Sequence, residues 1–353
     1  MCHWYACCDP GCAKTTETKF TNRRNTKMKR MIGTLLSAIA AVGIGTASLS
    51  AQDREPVDGD LTIYMQLGGN PGGPATLARE LGARDAARIL DIDLIEQHSQ
   101  WDPQRMLQQA NEALAAAPDA IIVMGHPGTE AMTSFLNRAG REGVTVVVGN
   151  NNLPGSGRSY FGLDNYDAGA NLARLAADTG GLGAGDKVVV YGAFIEGAPG
   201  ANVAEGSLAA LDEAGIAYDT LQWSNEAVQD PSLAVPVLVS YLESNPDTRA
   251  IIVPGHGGIT AFLGKVLRDA GKDAGSVVTA GFDISPTAID EVKKGYLTLV
   301  LDQQPYLQGF MPVVAAVLES KYRLGGLFLN TGGGVVTKDN VDLIESLVAQ
   351  GLR

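Results

Sequence analysis

The amino-acid sequence predicts an α/β protein built from two doubly wound, Rossmann-like lobes with parallel sheets. Two observations lead to this prediction. Short apolar runs alternate with amphipathic stretches in two successive series, and a polar stretch rich in Asn, Gly, Pro and Ser separates the series at 150–158. Near-continuous apolar strands joined by helices long enough to cross a sheet indicate parallel strands that are buried on both faces.

The first series contains four strands and three intervening helices. The apolar runs predict strands at 61–67, 92–96, 120–124 and 144–148, and the amphipathic stretches predict helices at 74–90, 103–117 and 130–139. Each helix directly follows a strand, which is the order of a doubly wound sheet.

The second series repeats this pattern and predicts a second lobe of the same class. Helices are expected at 168–177, 202–214, 233–242, 259–270, 289–293 and 307–320, and strands at 188–191, 218–222, 250–253, 277–281 and 297–301. A Gly-rich stretch at 332–334 comes near the end of the sequence.

The N-terminal residues have the features of a leader followed by an export signal. Cys2, Cys7, Cys8 and Cys12 precede a second methionine, Met28. We interpret 1–27 as an upstream leader, with a structural zinc site as the alternative, because no core-forming segment follows the cysteines. Two basic residues, an apolar run too short to span a bilayer, and small residues before Gln52 predict a secretory signal peptide at 28–51.

The amino-acid composition indicates the cellular compartment of the protein and excludes one class of partner. The 353-residue chain is 45% hydrophobic and has a formal net charge of −12, so it can bury a core and would repel a phosphate backbone. Nucleic-acid binding is therefore not expected. All four cysteines precede residue 13, so the exported chain would be a disulfide-free periplasmic protein. We expect a monomer with no integral membrane segment after cleavage.

Polar residues follow the predicted strands, where ligands bind in open α/β sheets. Their amide, carboxylate and imidazole groups can donate to and accept from hydroxyl groups, as a neutral polyol requires. Helix capping and turns are the alternative role for each of them. The candidate ligand-binding residues are Asn70, His126, Asn150, Asn151, Glu196, Asn202, Trp223, His256, Asp283 and Gln303.

The sequence lacks the motifs that would indicate an enzyme. No Gly-x-Ser-x-Gly nucleophile elbow occurs. Residues 258–265 end in Gly-Lys but have the wrong spacing for a phosphate-binding loop, and Val266 replaces its Ser or Thr. His98, His126 and His256 show no metal-ligand spacing. We therefore expect neither catalysis nor a cofactor.

Three stretches carry a family resemblance that runs from about residue 61 to 336. They are FGLDNYDAG at 161–169, AGFD at 280–283 and LDQQPYLQG at 301–309. With this spacing they resemble the ribose-binding-like (type I) periplasmic solute-binding proteins of sugar ABC transporters. The resemblance implies that Asp283 is a ligand aspartate and that Gln303 is a hinge glutamine.

The same resemblance extends to three further ligand contacts. It implies that Asn70 matches an asparagine after the first strand. His126 stands where the family often has asparagine, and Asn150 takes the place of a ligand aspartate.

Departures from the family pattern concern the walls of the pocket. Gly72-Gly73 replaces an aromatic pair, Asn202-Val203 lies where an arginine is expected, and Gly255-His256 replaces an Asn-Asp pair. The implied pocket therefore loses stacking surface and a cation. Trp101 or Trp223 is a candidate for the missing apolar wall, although ordinary packing is the alternative for each.

The resemblance implies two lobes joined by three chain crossings, near 161–162, 303–304 and 332–334. The expected boundaries are 58–162 with 304–332 for the N-terminal lobe and 163–303 with 333–353 for the C-terminal lobe. A ligand between the lobes would favour the closed state over the open one. Closure would then create the surface that an ABC permease recognises.

The expected function is the periplasmic substrate-binding component of an ABC importer, for a small neutral sugar or sugar alcohol. A periplasmic receptor that presents a small signal molecule to a chemoreceptor or sensor kinase would use the same cleft and stays an alternative. A ligand-responsive DNA-binding repressor is disfavoured, because the export signal occupies the place of its DNA-binding headpiece.

Overall fold

Two six-stranded sheets organise the protein. The computed structural model describes residues 60–73, 76–195 and 200–353. The predicted leader at 1–27, the predicted signal peptide at 28–51 and the candidate residue Glu196 lie outside these residues. The N-lobe is defined here by the sheet of the first series and the C-lobe by the sheet of the second.

The elements follow one another in the alternating order that the sequence predicts. The first nine run from β1 to α4: β1 Thr62–Gly68, α1 Thr76–Leu90, β2 Asp93–His98, α2 Pro103–Ala115, β3 Ala120–Met124, α3 Thr129–Glu142, β4 Thr145–Asn150, β5 Tyr160–Gly162 and α4 Asn165–Gly180. The next eight run from β6 to α9: β6 Lys187–Gly192, α5 Ala201–Glu213, β7 Ala217–Gln222, α6 Asn225–Gln229, α7 Ala234–Ser244, β8 Thr248–Val253, α8 Gly257–Ala261 and α9 Leu263–Asp269. The last seven are β9 Val278–Phe282, α10 Pro286–Lys294, β10 Leu299–Asp302, α11 Pro305–Tyr322, β11 Phe328–Asn330, β12 Gly334–Thr337 and α12 Val341–Ala349.

Both sheets have the same strand order. The N-lobe sheet runs β2-β1-β3-β4-β5-β11 and the C-lobe sheet runs β7-β6-β8-β9-β10-β12. In each, the order reverses beside the first strand, between β1 and β3 and between β6 and β8. Ligands of doubly wound folds bind at such reversals, beyond the carboxyl ends of the strands.

One strand departs from the purely parallel sheet that the sequence predicts. β12 pairs antiparallel with β10, with Leu299 opposite Thr337 and Asp302 opposite Gly334, whereas the other strand pairs of the C-lobe sheet are parallel. β11 runs parallel to β5, so it ends where the N-lobe strands end, and only three residues connect it to β12. The chain therefore enters the second sheet at the carboxyl end of β10, and β12 runs in the opposite direction.

The core of each lobe has two layers, one on each face of its sheet. In β3, Ile122 packs towards α1 and α11, while its neighbour Ile121 packs towards α2 and α3. The C-lobe repeats this arrangement, with α4 and α5 on one face and α7, α9, α10 and α12 on the other. Residues that alternate along a strand point to opposite faces, so apolar runs such as 120–124 fill both layers.

Glycines bring the helices on one face of each sheet into backbone contact. A Cβ on Gly309 of α11 would lie 2.0 Å from the Arg79 carbonyl oxygen of α1, and one on Gly82 of α1 would lie 2.1 Å from that of Tyr306. Gly169 and Gly206 make the equivalent contact between α4 and α5. Only glycine permits such close approach, so these positions fix how the helices cross.

Several predicted elements differ from the observed ones in their bounds. The helix predicted at 259–270 is two helices, α8 and α9, that meet at Phe262. The helix predicted at 233–242 is α7, preceded by α6 and a single 3₁₀ turn. The short strands β5, β11 and β12 and the final helix α12 were not predicted, because three or four residues give too little periodicity and the α12 segment follows a Gly-rich turn.

Three chain segments cross between the lobes. Leu163 and Asp164 connect β5 to α4, Gln303 and Gln304 connect β10 to α11, and 331–333 connect β11 to β12. Asp164 caps α4 by accepting from the Asp167 backbone N–H at 3.1 Å. The crossings lie side by side because β4, β5 and β11 are neighbours in one sheet and β10 and β12 are neighbours in the other.

Candidate functional site

Three of the sequence-predicted residues meet at the second crossing. Gln303 Nε2 donates to Asp283 Oδ1 at 2.5 Å, and Asn150 Nδ2 lies 3.4 Å from Gln303 Oε1. Asp283 follows β9 in the C-lobe and Asn150 ends β4 in the N-lobe. The hydrogen bonds therefore join polar side chains of both lobes through a residue that lies between them.

Gln308, in the first turns of α11, is the centre of this network. Its Oε1 accepts from Arg79 at 2.8 Å and from Asn150 at 2.9 Å. Its Nε2 lies 3.1 Å from both the carbonyl oxygen and Oε1 of Gln303 and 3.0 Å from Thr331 Oγ1. The side chain is fully buried. It thus links the N-lobe to the second and third crossings.

The backbone at the site adopts a conformation that is uncommon for residues other than glycine. The φ angles of Asn150, Asp283 and Gln304 are 60°, 61° and 52°. Asn150 ends β4, Asp283 directly follows β9 and Gln304 directly precedes α11. The chain turns sharply at each of these positions. Asn and Asp tolerate this region better than most residues, and such strain tends to occur at binding sites.

Arg79, on α1, places a buried cation at the carboxyl end of β1. Its side chain is 1% exposed, and Nη1 donates to the Leu67 carbonyl oxygen at 3.1 Å. Burial lowers the pKa of Arg79 to about 10, an effect that the negative charge of Asp283 opposes. The guanidinium therefore stays charged at neutral pH and acts on a carboxylate of the other lobe.

Asp283 is the acidic residue that the C-lobe contributes to the site. Burial raises its pKa above the usual value for a carboxyl group, while the Gln303 hydrogen bond and the charges of His256 and Arg79 oppose the rise. A Cβ on Gly257 would lie 2.5 Å from Asp283 Cβ and 2.9 Å from its Oδ2, so the loop that begins α8 must carry a glycine. The site thus contains one half-buried carboxyl group whose oxygens can hydrogen-bond to a hydroxyl group.

Trp101 and His126 line the N-lobe side next to Arg79. The Arg79 guanidinium carbon lies 5.6 Å from the Trp101 ring centroid, and the His126 ring lies 5.7 Å from the Trp101 ring. His126 is half-buried, and its Nδ1 makes no hydrogen bond among the described contacts. Burial, and secondarily the charge of Arg79, lower the pKa of His126 to about 4. This imidazole is therefore neutral at pH 7.

Acidification should destabilise the protein through His126. Its pKa is 6.5 in the unfolded chain and about 4 when folded, so between these values the unfolded state binds more protons. Stability is complete above pH 6.5 and falls as the pH drops towards 4, by at most roughly 3 kcal/mol from this residue. Urea unfolding at pH 7 and pH 4.5 should show a smaller loss for His126→Gln than for the unsubstituted protein. Equal losses in the two proteins would contradict the assignment.

The C-lobe candidates Trp223 and His256 are engaged within their own lobe. His256 caps α8, with Nδ1 accepting from the Ile259 backbone N–H at 3.2 Å and Nε2 lying 3.2 Å from the Val228 carbonyl oxygen. Trp223 is 7% exposed and packs edge-on against His256 and Tyr191. Both imidazole nitrogens are thus used internally, which is the capping role that the sequence left open.

The other asparagines occupy different surroundings. Asn151 Oδ1 accepts from Asn165 Nδ2 at 2.7 Å, a contact that joins the loop after β4 to the start of α4. Asn70 and Asn202 are exposed, after β1 and in the first turn of α5 respectively. The structure therefore brings Asn150, Asp283 and Gln303 together, with His126 beside Arg79, and leaves Asn70 and Asn202 at the surface.

The described residues provide no sign of a metal centre or a membrane span. They contain no group of three or more His, Cys, Asp and Glu side chains placed to bind a metal ion. No helix among them combines the length and the apolar character that a membrane crossing requires.

A family model for the periplasmic binding protein domain matches residues 69–321, which run from the end of β1 to the last turn of α11 and include the second crossing. The chain belongs to the periplasmic binding protein family. Among curated relatives of this periplasmic binding protein, a xylose/arabinose-binding protein of Sulfolobus acidocaldarius is 35% identical over 108 residues, 29% of this chain and 27% of the relative. A ribose import binding protein of Bacillus subtilis is 24% identical over 246 residues, 69% of this chain and 76% of the relative.

Solved structures share the fold of this periplasmic binding protein. A carbohydrate transporter from Acidothermus cellulolyticus, in complex with myo-inositol, superposes with a TM-score of 0.67 at 23% identity and covers 83% of this chain and 100% of its own. A solute-binding protein from Actinobacillus succinogenes with bound D-allose gives 0.70 at 22% identity, covering 80% and 99%. At these identities the likeness establishes the two-lobed α/β architecture.

Two residues of this periplasmic binding protein site were not among the predicted candidates. Arg79 interrupts the small, buried face of α1 formed by Gly82, Ala83 and Ala86, and a charge on such a face indicates a buried partner. Gln308 lies in the 301–309 motif but has no strand end beside it. Its role depends on α11 returning to the first lobe, which pattern alone does not show.

Proposed function

We propose that the protein is the periplasmic substrate-binding component of an ABC importer and binds a small neutral sugar or sugar alcohol between its lobes. The observation that carries the proposal is the convergence of Asn150 from the N-lobe and Asp283 from the C-lobe on Gln303. Amide and carboxylate groups from both sides can satisfy the donors and acceptors of hydroxyl groups. The sugar-binding roles of the two curated relatives agree with this proposal.

Charge balance supports an uncharged ligand. Arg79 and Asp283 place one basic and one acidic side chain at the site, and each affects the pKa of the other. The second buried carboxylate nearby, Asp302, lies 2.6 Å from an Arg353 guanidinium nitrogen. His126 is neutral at pH 7 because its pKa is about 4. A charged solute would leave one buried charge unbalanced, which costs more than a neutral ligand does.

In the proposed mechanism the ligand lies between the two lobes and contacts both. We place the N-lobe at 58–162 with 304–332 and the C-lobe at 163–303 with 333–353. Contacts to both sides favour the closed state, and shifting a mostly open population to a mostly closed one takes roughly 5 kcal/mol. A few hydrogen bonds of about 1 kcal/mol each and desolvated ring contacts can supply this. The closed monomer would then dock on an inner-membrane permease and release the solute without chemical change.

Titration calorimetry would test the proposal. The panel contains D-ribose, D-xylose, D-arabinose, D-glucose, D-allose, myo-inositol and xylitol, with amino acids as the contrasting class. Binding of at least one uncharged carbohydrate is expected. Asp283→Asn should weaken that binding at least about tenfold, because an amide replaces a charged acceptor.

Asp290→Asn is the matched control. Asp290 is an exposed residue of α10 that pairs with Lys294 on the same helix, so its loss should leave affinity unchanged. No heat with any carbohydrate, or equal affinity for the Asp283→Asn and Asp290→Asn variants, would contradict the proposed function or the proposed location of the site.

A further inference from the structure

A buried carboxylate lies directly behind the loop that follows β1. Glu80, in the second turn of α1, is only 2% exposed. Acidic side chains are rarely buried to this extent unless they are paired, because a buried charge without partners is costly. The partners of Glu80 therefore indicate why a carboxylate occupies this position.

Glu80 has three partners, and one of them is the backbone of the loop. Its Oε1 accepts from the Gly72 backbone N–H at 3.0 Å and lies 2.9 Å from His98 Nε2, at the end of β2. Its Oε2 lies 3.5 Å from a guanidinium nitrogen of Arg84, one turn further along α1. The carboxylate thus joins α1 and the end of β2 to the loop after β1.

The glycine loop, defined here as residues 69–73, has few other attachments. Residues 70–72 are exposed. Among the contacts of the described residues, the bond to Glu80 is the one hydrogen bond that joins 70–72 to another element. The Gly73 N–H donates to the Asn70 carbonyl oxygen at 3.0 Å, which closes a turn within the loop itself. The turn is therefore fastened to the body of the N-lobe through a single side chain of α1.

The two consecutive glycines of the loop make such an attachment important. Gly72 has a φ of 69°, and a Cβ at this position would meet no atom within 4 Å, so side-chain packing does not hold it. Glycine also has more backbone freedom to lose on ordering than any other residue. Without the bond to Glu80, the segment with Gly72 and Gly73 would sample many conformations, and a ligand would have to order it.

We propose that Glu80 is a positioning residue of the binding site, which fixes the glycine loop through Gly72 and so holds Asn70 where its amide can contact a bound carbohydrate. Asn70 lies beyond the carboxyl end of β1, beside the reversal of strand order in the N-lobe sheet. The inference rests on the proposed function and adds a buried residue that acts without touching the ligand. A loop that is ordered beforehand does not have to be ordered at the expense of binding free energy.

Titration calorimetry of the full chain with D-ribose, D-xylose and myo-inositol would test the proposal. Glu80→Ala should weaken binding by about tenfold or more, because the glycine loop loses its attachment. Glu80→Gln should bind within about threefold of the unsubstituted protein, because its amide oxygen can still accept from Gly72. Glu96→Ala is the matched control and should bind normally, because Glu96 accepts from Arg84 at 2.6 Å but has no bond to the loop.

A double-mutant cycle separates positioning from a purely structural role. Asn70→Ala alone should weaken binding, and adding Glu80→Ala to it should cause less than about a twofold further loss, because the side chain that Glu80 positions is already absent. Unfolding midpoints in urea are measured for each variant in parallel. Losses that multiply in the double variant, or a lower midpoint with unchanged affinity in Glu80→Ala, would overturn the proposal.

Hydrogen exchange tests the attachment without a substitution or a ligand, and it stays decisive if Glu80→Ala does not fold. The Gly72 amide should exchange at least about tenfold more slowly than the same amide in an unstructured peptide, because it is hydrogen-bonded. Exchange at the unstructured rate would overturn the role of Glu80 and leave the proposed function standing. A slowly exchanging Gly72 amide in a protein that binds none of the three carbohydrates would instead contradict the proposed function, and the binding role of Glu80 with it.

Discussion

Replacing Gln308 by leucine should destabilise the folded protein by about 3–5 kcal/mol. The leucine would occupy a similar volume, but it would remove the acceptor for Arg79 and Asn150 and the donor to Gln303 and Thr331. All these groups are at least half-buried, so water replaces the lost hydrogen bonds poorly. An unsatisfied buried polar group costs about 1–3 kcal/mol, and one substitution creates several.

Urea unfolding followed by circular dichroism would measure the loss. Gln109→Leu is the matched control, because the Gln109 side chain is also partly buried in a helix but donates only to the His98 carbonyl oxygen, so about 1 kcal/mol is expected. Losses of similar size in the two variants would show that Gln308 is an ordinary helix residue and does not hold the crossings together.

The fold was predictable because its largest elements carry strong periodicity. The runs at 120–124 and 250–253 are apolar at every position, and both belong to buried central strands. The antiparallel strand β12 was not predictable in this way. It has only four residues, and its direction follows from a three-residue connection that enters the second sheet at the carboxyl end of β10.

The site was partly predictable from the positions of the strand ends. Asn150, Asp283 and Gln303 directly end or follow strands, so position along the chain indicates that they share an edge of a sheet. His256 has the same position but turns back to cap α8, and no pattern separates a cap from a ligand contact. Arg79 and Gln308 come from helices, and their meeting depends on how α1 crosses α11.

The crossing of α1 and α11 leads to the second prediction of a large loss of stability. Replacing Gly309 by alanine should destabilise the protein by about 3 kcal/mol or more, because the new methyl group would lie 2.0 Å from the Arg79 carbonyl oxygen and 2.9 Å from the Ala83 backbone nitrogen. The clash is with backbone atoms of a helix, so it cannot be relieved by a rotamer change. The two helices must separate, and Arg79 then moves relative to Gln308. Carbohydrate affinity should fall with stability.

The opposite sign is expected for the same substitution at Gly140. This glycine lies inside α3, and its added Cβ would meet only Arg158 Nη2 at 3.6 Å, an ordinary contact with a flexible side chain. Alanine there should stabilise the protein by about 0.5–1 kcal/mol, because it reduces the conformational freedom of the unfolded chain. Urea midpoints that move in opposite directions for Gly309→Ala and Gly140→Ala would attribute the loss to the helix crossing. If both midpoints rise, α1 and α11 are not in backbone contact at Gly309. The hydrogen bond between Arg79 and Gln308, which depends on that contact, would then be contradicted as well.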